Sequence, residues 1–438
     1  MIPYLLVQKY FNCVLNSNFR RVPSEIQMPS NPRTSNLPRY FIDAVTYTFS
    51  VIYTHFNIPF PVERFGPTLK PLTKIYGTAK WAIDNCLLFL NQMNSDDNWK
   101  KDETTLDYPN KGKFIDVFDF TQDLSTIENY SWTPLKINDS LKKYLTPFFG
   151  ESSLLDGLNK DKYIEFATNN YPTNEQKQKE IEELNVIYKN LDDVKKSIAE
   201  YFEGGPGTVS PPGQWNIFFF YALSSLKYKP FDVTYYFYIL NTVLYNSAIV
   251  TWKVKKIFLQ SRPIQDIRKE IVTSLEDVYS RNGYYDDPNN PTKISKNQYL
   301  PYQIDNFVTP PFPDYTSGHS AFSNSAATII NHLLNFKQPV DIDFIEFSDK
   351  HKKYIAKFLE NSTVKSTVTN VNIQNKSSLI DSNIPNCNVS LLFNSWEDIA
   401  FNSGMSRIYG GIHTNSSNIV GLHLGKMIAE DIIKIKKL

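Results

Sequence analysis

The sequence predicts an all-α protein, a helical bundle joined by long loops. Three observations carry that expectation. The clearest apolar periodicity along the chain is the helical one. Glycine is scarce, 16 in 438 residues, and proline gathers in clusters between aromatic-rich apolar segments. Hydrophobic residues make up 41% and aromatic residues 14%, enough to bury a large core in one big domain or two ordinary ones.

Composition excludes several function classes. Lysine and arginine number 46 against 45 acidic residues, so no global field draws the protein to nucleic acid or an anionic membrane, and any anion site must be local. Cys13, Cys86 and Cys387 are too few and too widely spaced for a disulfide framework or a zinc knuckle, which fits a reducing compartment. The N-terminus MIPYLLVQKYFNCVL lacks the basic start of a secretory signal. Phe231 to Trp252 is the longest low-charge stretch, but Asp232, Asn241, Thr242, Asn246 and Ser247 interrupt it, so a buried helix is expected there and no membrane span. A soluble, intracellular protein is the expectation. The oligomeric state stays open.

Element by element, residues 1–90 read as helices joined by extended connections such as Asn57-Ile58-Pro59-Phe60-Pro61, and 94–150 as polar and turn-rich. Thr173 and Gln176 have capping-box spacing. Ile181, Leu184, Ile187, Leu191, Val194, Ile198 and Tyr201 then mark one face of a helix that stops at Gly204-Gly205-Pro206-Gly207. Further helices are expected over about 214–226, 234–259, 317–335, 342–359, 394–402 and 418–437, with a Ser/Thr/Asn-rich surface loop over 361–388. The chain reads as one large helical domain, 1–438, with an N-terminal helical part, 1–203, and a core, 204–438, that carries the chemistry.

Three short clusters carry that chemistry. In WKVKKIFLQSRP, the spacing of Trp252, Lys255 and Arg262 puts them along one helical face, and Pro263 holds Arg262 at the helix end. Taken alone, this reads rather as a solvated basic face, since Lys253, Lys256 and Arg268 are nearby. In PPFPDYTSGHSAF, the prolines at 310, 311 and 313 fix an extended entry and Ser317 is a good N-cap. The N–H groups of Gly318 and His319 then open a helix, where an anion is readily bound, and His319 is placed to exchange a proton with it. In SRIYGGIHTNSSN, Gly410-Gly411 permits a tight turn that can bring Arg407 and His413 to one point. Two arginines, a lysine, a helix N-terminus and two histidines suit a tetrahedral oxyanion such as phosphate or vanadate. One histidine is left to attack phosphorus or to coordinate vanadium.

Lys-x6-Arg-Pro, Ser-Gly-His and Ser-Arg-x3-Gly-x-His, in that order, resemble the signature of the superfamily of vanadium-dependent haloperoxidases and type 2 phosphatidic acid phosphatases (PAP2). Within it, SPPGQWN at 210–216, the extended first motif and PPFPDYTSGH resemble the soluble haloperoxidase branch, over about Gly204 to Ile432. Before that the similarity is faint, as at Gly66 to Thr68. The resemblance implies a helical bundle of the vanadium haloperoxidase/PAP2 type. It implies that Lys255, Arg262 and Arg407, with Ser317 and the Gly318 N–H, neutralise the oxyanion. It makes His413 the axial vanadium ligand and His319 the acid–base residue, with Trp252, Pro310 and Phe312 lining a halide pocket. Hydrogen peroxide and halide would be the substrates. The alternative in the same pocket is an acid phosphatase turning over a phosphate ester through a phosphohistidine at His413, phosphate then occupying the vanadate position. Two departures from the family pattern lead to an expectation of weakened support and give weight to a third reading, a catalytically weakened structural homologue. Ser417 stands where an Asp usually follows the metal-binding histidine by four residues, and Asn246 where another Asp is expected ahead of Trp252. Thr316 also replaces a usual proline.

Overall fold

The computed structural model describes residues 101, 103–205, 208–224, 230–281, 292–334, 366–367 and 370–438. The helices expected over 1–90 and 342–359, together with Cys13, Cys86 and Gly66 to Thr68, lie outside these. The chain divides into two compact units, 1–97 with 227–242 and 98–226 with 243–438, and all three clusters fall in the second. The protein is mostly helical, as the periodicity predicts.

Each of the first three helices begins at a side chain that caps it. Asn159 accepts from the Asp161 N–H to open α1 (Lys160–Asn169), and Thr173 accepts from the Gln176 N–H to open α2 (Asn174–Lys189). The expected single helix to Tyr201 is in fact broken. The Asn190 N–H turns back to the carbonyls of Ile187 and Tyr188, and Asp192 caps a new helix, α3 (Asp193–Tyr201), by accepting from the Lys195 N–H. Local side-chain capping thus overrides a continuous apolar stripe, and Val194, counted on that stripe, is exposed.

Next come α4 (Ser210–Ser224), α5 (Pro230–Phe258) and the short α6 (Pro263–Arg268). They are followed by α7 (Gly318–Leu334), α8 (Trp396–Tyr409) and α9 (Asn415–Lys436). Helix α7 packs most extensively on α9 and then on α8, and α8 also lies against α3. Glycines make the α7–α9 approach possible: a Cβ on Gly425 would sit 2.2 Å from the Ala321 carbonyl oxygen, and one on Gly421 2.7 Å from that of Ser317. Gly404 does the same for α8, where a Cβ would lie 2.2 Å from Asn418 Oδ1. This close packing accounts for a helix that runs through a glycine to Tyr409 instead of stopping near 402. Trp215 of α4 is buried and its indole N–H donates to Ser323 Oγ of α7 at 2.9 Å, which pins the SPPGQWN segment to the bundle.

Short strands decorate the helices. Ile115–Asp116 (β1) pairs in parallel with Leu135–Ile137 (β2), which pairs antiparallel with Ser140–Lys142 (β3). Asp277–Tyr279 (β4) pairs with Lys293–Ser295 (β5). The stretch expected as a surface loop over 361–388 is partly strand. Ser366–Thr367 (β6), Asn370–Ile373 (β7) and Val389–Leu392 (β8) form an antiparallel sheet, with Val371 and Leu391 paired and buried. Alternating apolar positions over four residues are too short a signal to stand out in so polar a stretch.

Candidate active site

The first cluster divides between two elements. Lys255 lies in the last turn of α5 and is completely buried. Its ammonium donates to the carbonyls of Pro313 at 2.6 Å and Asp314 at 2.9 Å, and lies 5.0 Å from the centre of the Phe312 ring. The chain leaves α5 through Leu259, whose φ is +48°, and re-enters helix at Pro263. Arg262 between them is extended, as the following proline requires. It is 1% exposed: the basic stretch is therefore divided, with Lys255, Arg262 and Arg268 inside and Lys253 and Lys256 paired with Glu151 on a half-buried flank.

Arg262 joins all three clusters. Its Nε donates to the Phe312 carbonyl at 2.8 Å and its Nη1 to the Ile412 carbonyl at 2.6 Å, and Nη1 also lies 3.1 Å from His413 Nε2. Its Nη2 is buried and bonded to nothing among the described residues. A buried guanidinium nitrogen without an acceptor is costly unless something anionic completes it.

His413 is held from its other side. Its Nδ1 hydrogen-bonds to Asp314 Oδ1 and lies 3.1 Å from Ser417 Oγ. Asp314 Oδ2 accepts from the Thr414 N–H at 3.1 Å and the Thr414 hydroxyl at 2.9 Å. Burial pushes the His413 pKa far down, and Arg262 adds to this, so the ring is neutral. Burial by itself would raise the Asp314 pKa, but His413, Arg262 and Lys255 together hold it below the ordinary carboxylate value.

The expected weakening behind His413 is therefore corrected. Ser417 brings no carboxylate, yet Asp314 does, from the loop ahead of Ser-Gly-His. Asn246 supports a different feature: its Oδ1 accepts from the Leu155 N–H at 2.8 Å.

Gly411 has φ +68°, and a Cβ there would meet Tyr188 Oη at 2.1 Å, so the turn between Arg407 and His413 needs glycine. Arg407, at the end of α8, is 1% exposed. Its Nε donates to Ser406 Oγ, its Nη1 to the Glu203 carbonyl and its Nη2 to the Ala199 carbonyl, at 2.8–2.9 Å. Burial lowers the pKa of Arg407 and of Arg262 to about 10, so both stay charged at neutral pH. The second turn is fixed to α9, since the Ser317 N–H donates to the Ser417 carbonyl at 3.0 Å and Ser317 Oγ accepts from the Ser320 N–H at 3.3 Å.

Residues 235–437, which hold all three clusters, match the family model described as the VCPO second helical-bundle domain. This segment belongs to the vanadium haloperoxidase/PAP2-like superfamily. The fold agrees. A bacterial vanadium-dependent chloroperoxidase in its holo form superposes with a TM-score of 0.70 at 14% identity, covering 100% of this chain and 90% of that one. Its apo form gives 0.68 at 13%, covering 100% and 93%. A bacterial vanadium-dependent iodoperoxidase gives 0.58 at 15%, covering 99% and 89%. No match was found among curated protein sequences. No helix among the described residues is long and apolar enough to cross a membrane.

Within this VCPO-type bundle the remaining predicted site residues flank the cations. Trp252 is half-buried on α5, its ring 5.1 Å from that of Phe312, and its indole N–H donates to the Leu145 carbonyl. Leu145 also donates its N–H to the Pro311 carbonyl, which clasps the extended segment beside buried Pro310. Phe312 is a shared platform, with the Arg262 guanidinium also 5.1 Å from its centre. His319 is half-buried in the first turn of α7, its Nε2 2.9 Å from the Phe202 carbonyl. A carbonyl only accepts, so Nε2 carries the proton and Nδ1 is the basic nitrogen. Burial, then the charge of Arg407, put its pKa well below the ordinary histidine value. Of the predicted set, contacts directly unite Trp252, Lys255, Arg262, Phe312 and His413. Arg407 and His319 meet on the Ala199–Glu203 backbone.

Asp314, Thr414 and the carbonyls of Ala199, Phe202 and Glu203 are the parts that sequence reasoning missed. For Asp314 a signal existed: one acidic residue in an otherwise apolar, proline-rich approach to a helix N-terminus. For the carbonyls there is none, since any residue type supplies them.

Proposed function

We propose that the protein is a vanadate-dependent haloperoxidase, oxidising halide with hydrogen peroxide to hypohalous acid. The observation that carries this reading is the buried His413 ring, its Nε2 beside Arg262 and its Nδ1 tied to a carboxylate, among buried basic side chains. The donor set fits the cofactor. Among the described residues there is no group of three His, Cys, Asp or Glu side chains that suits a bare cation. One imidazole nitrogen with Lys255, Arg262 and Arg407 suits a metal that arrives as an oxyanion.

In this reading Lys255, Arg262, Arg407, Ser317 and the Gly318 N–H would hold the oxyanion's oxygens, and His413 Nε2 would be the protein's ligand to the metal. Arg262 Nη2 is the donor left for it, and the buried cations withdraw charge where charge builds up. Bound vanadate would supply Lewis acidity toward hydrogen peroxide. His319, neutral and basic at Nδ1, takes or returns a proton beside the anion. Trp252, Pro310 and Phe312 give the halide a partly dehydrated face next to Arg262 and Lys255.

The test is halogenation of a phenolic dye. It should require vanadate and hydrogen peroxide together and vanish in His413→Ala. Hydrolysis of p-nitrophenyl phosphate that vanadate inhibits would instead establish a phosphatase in the same pocket. If neither activity is found and vanadate does not raise the melting temperature, the structural-homologue reading is left.

A further inference from the structure

We propose that Asp314 is a positioning residue: its carboxylate sets the tautomer and orientation of His413, and position 417 is an interchangeable seat for that carboxylate. That Nε2 is the atom facing the oxyanion rests on the haloperoxidase reading; the tautomer assignment does not.

The argument is a proton count. The Ser417 hydroxyl has one proton and donates it to the Asp314 carbonyl at 3.0 Å, so Ser417 Oγ turns lone pairs toward His413 Nδ1, 3.1 Å away. Asp314 Oδ1 is the other neighbour of Nδ1. A ring nitrogen between two acceptors carries the hydrogen, and Nε2 keeps the lone pair. Arg262 Nη1, which can only donate, sits 3.1 Å from Nε2 and agrees.

The carboxylate itself cannot swing. Thr414 holds Oδ2 through its N–H and hydroxyl, Gln260 Nε2 approaches Oδ2 at 3.4 Å, and the Asp314 N–H donates to the Gln260 carbonyl at 3.0 Å. A carboxylate 99 residues upstream therefore orients the imidazole and ties the Ser-Gly-His approach to the His413 turn. Ser417 lies in the first turn of α9, four residues past His413, and its Oγ already reaches the same nitrogen. An aspartate there would offer Nδ1 the same acceptor.

Asp314→Asn makes a sharp test because an amide is two-sided. Its oxygen must face the Thr414 donors, so its NH2 faces His413 Nδ1 and drives the ring proton onto Nε2, at the expense of the Arg262 Nη1 contact there. The imidazole 15N shifts of the apo protein, assigned by their loss in His413→Gln, should switch from the Nδ1–H to the Nε2–H pattern. Vanadate affinity, measured by equilibrium dialysis, should fall roughly ten- to a hundredfold, the usual effect of losing such a partner. Asp314→Asn/Ser417→Asp should restore the Nδ1–H pattern and most of the affinity, which a merely structural role for Asp314 would not.

An unchanged tautomer in Asp314→Asn, or a folded double variant without recovery, overturns the proposal. If Asp314→Asn does not fold, Asp314→Ala/Ser417→Asp decides: a folded protein with Nδ1–H upholds it, and Nε2–H or no fold overturns it. A tautomer that follows the carboxylate in a protein that never binds vanadate upholds the positioning role and removes the haloperoxidase reading alone.

Discussion

Arg262→Lys separates charge from geometry at the junction of the three clusters. The side chain makes two buried bonds to carbonyls, at 2.8 Å to Phe312 and 2.6 Å to Ile412, faces His413 Nε2, and keeps Nη2 unpaired. Lysine retains the charge but replaces a planar fork by a single point, so it cannot satisfy two divergent carbonyls and still offer a donor to an anion. One stranded carbonyl costs about 1–3 kcal/mol of stability. The lost donor to an anion is worth about 1.5–3 kcal/mol, or roughly ten- to a hundredfold in affinity. Urea titration of the apo protein reads the first, and equilibrium dialysis with vanadate reads the second. If Arg262→Lys binds vanadate as tightly as the parent protein, Nη2 is not directed at the anion and the reasoning fails.

Three further outcomes follow from packing and burial. Gly425→Ala drives a Cβ to 2.2 Å from the Ala321 carbonyl and 2.9 Å from the Ser325 nitrogen, so α7 and α9 must separate; about 1–3 kcal/mol of stability should be lost in urea titration. Trp215→Phe removes the buried indole bond to Ser323, which also holds Ser403, and should cost about 1–3 kcal/mol by the same measurement. Burial raises the Asp266 pKa from 3.8 to about 7 against the opposing Ser261 hydrogen bond, so the folded protein holds a proton there that the unfolded chain has lost. That contribution is complete below about pH 4 and disappears as pH rises through about 7. Relative to Asp266→Asn, the parent should therefore lose stability between pH 4 and 7, by roughly 4 kcal/mol at most. A flat difference across that range would contradict the burial argument.

Most helices were legible because an amphipathic period repeated over four turns is a strong local signal, as in α9, and because capping needs only neighbours, as at Thr173. The break at Asn190 to Asp192 was not, since apolar spacing and a capping aspartate point in opposite directions there. Which signal wins depends on what α2 and α3 bury. The site was legible at its charged ends: Lys255, Arg262, Arg407 and His413 stand out because a buried cation or imidazole needs an anionic or hydrogen-bonding reason. Their partners were not, because most are backbone carbonyls of Pro313, Phe312, Ile412, Glu203 and Ala199, which carry no sequence signature.

Asp314 belongs between those cases, and it shows why reading a motif position by position misjudges a site. The comparison that made Ser417 look like a loss treats the carboxylate as a property of one position in the chain. The imidazole responds only to an acceptor at Nδ1, and two different segments can deliver it: the first turn of α9, or the extended loop before α7. The Ser317 N–H and the Thr316 hydroxyl both bond to the Ser417 carbonyl, so these two segments are held in fixed register. A fixed register lets a charge leave one segment and be replaced from the other without moving the ring. It follows that Ser417→Asp alone, with Asp314 in place, sets two carboxylates on one N–H. That crowding should lower the apo melting temperature more than Asp314→Asn/Ser417→Asp does. The opposite order would mean that 417 and 314 do not address the same atom.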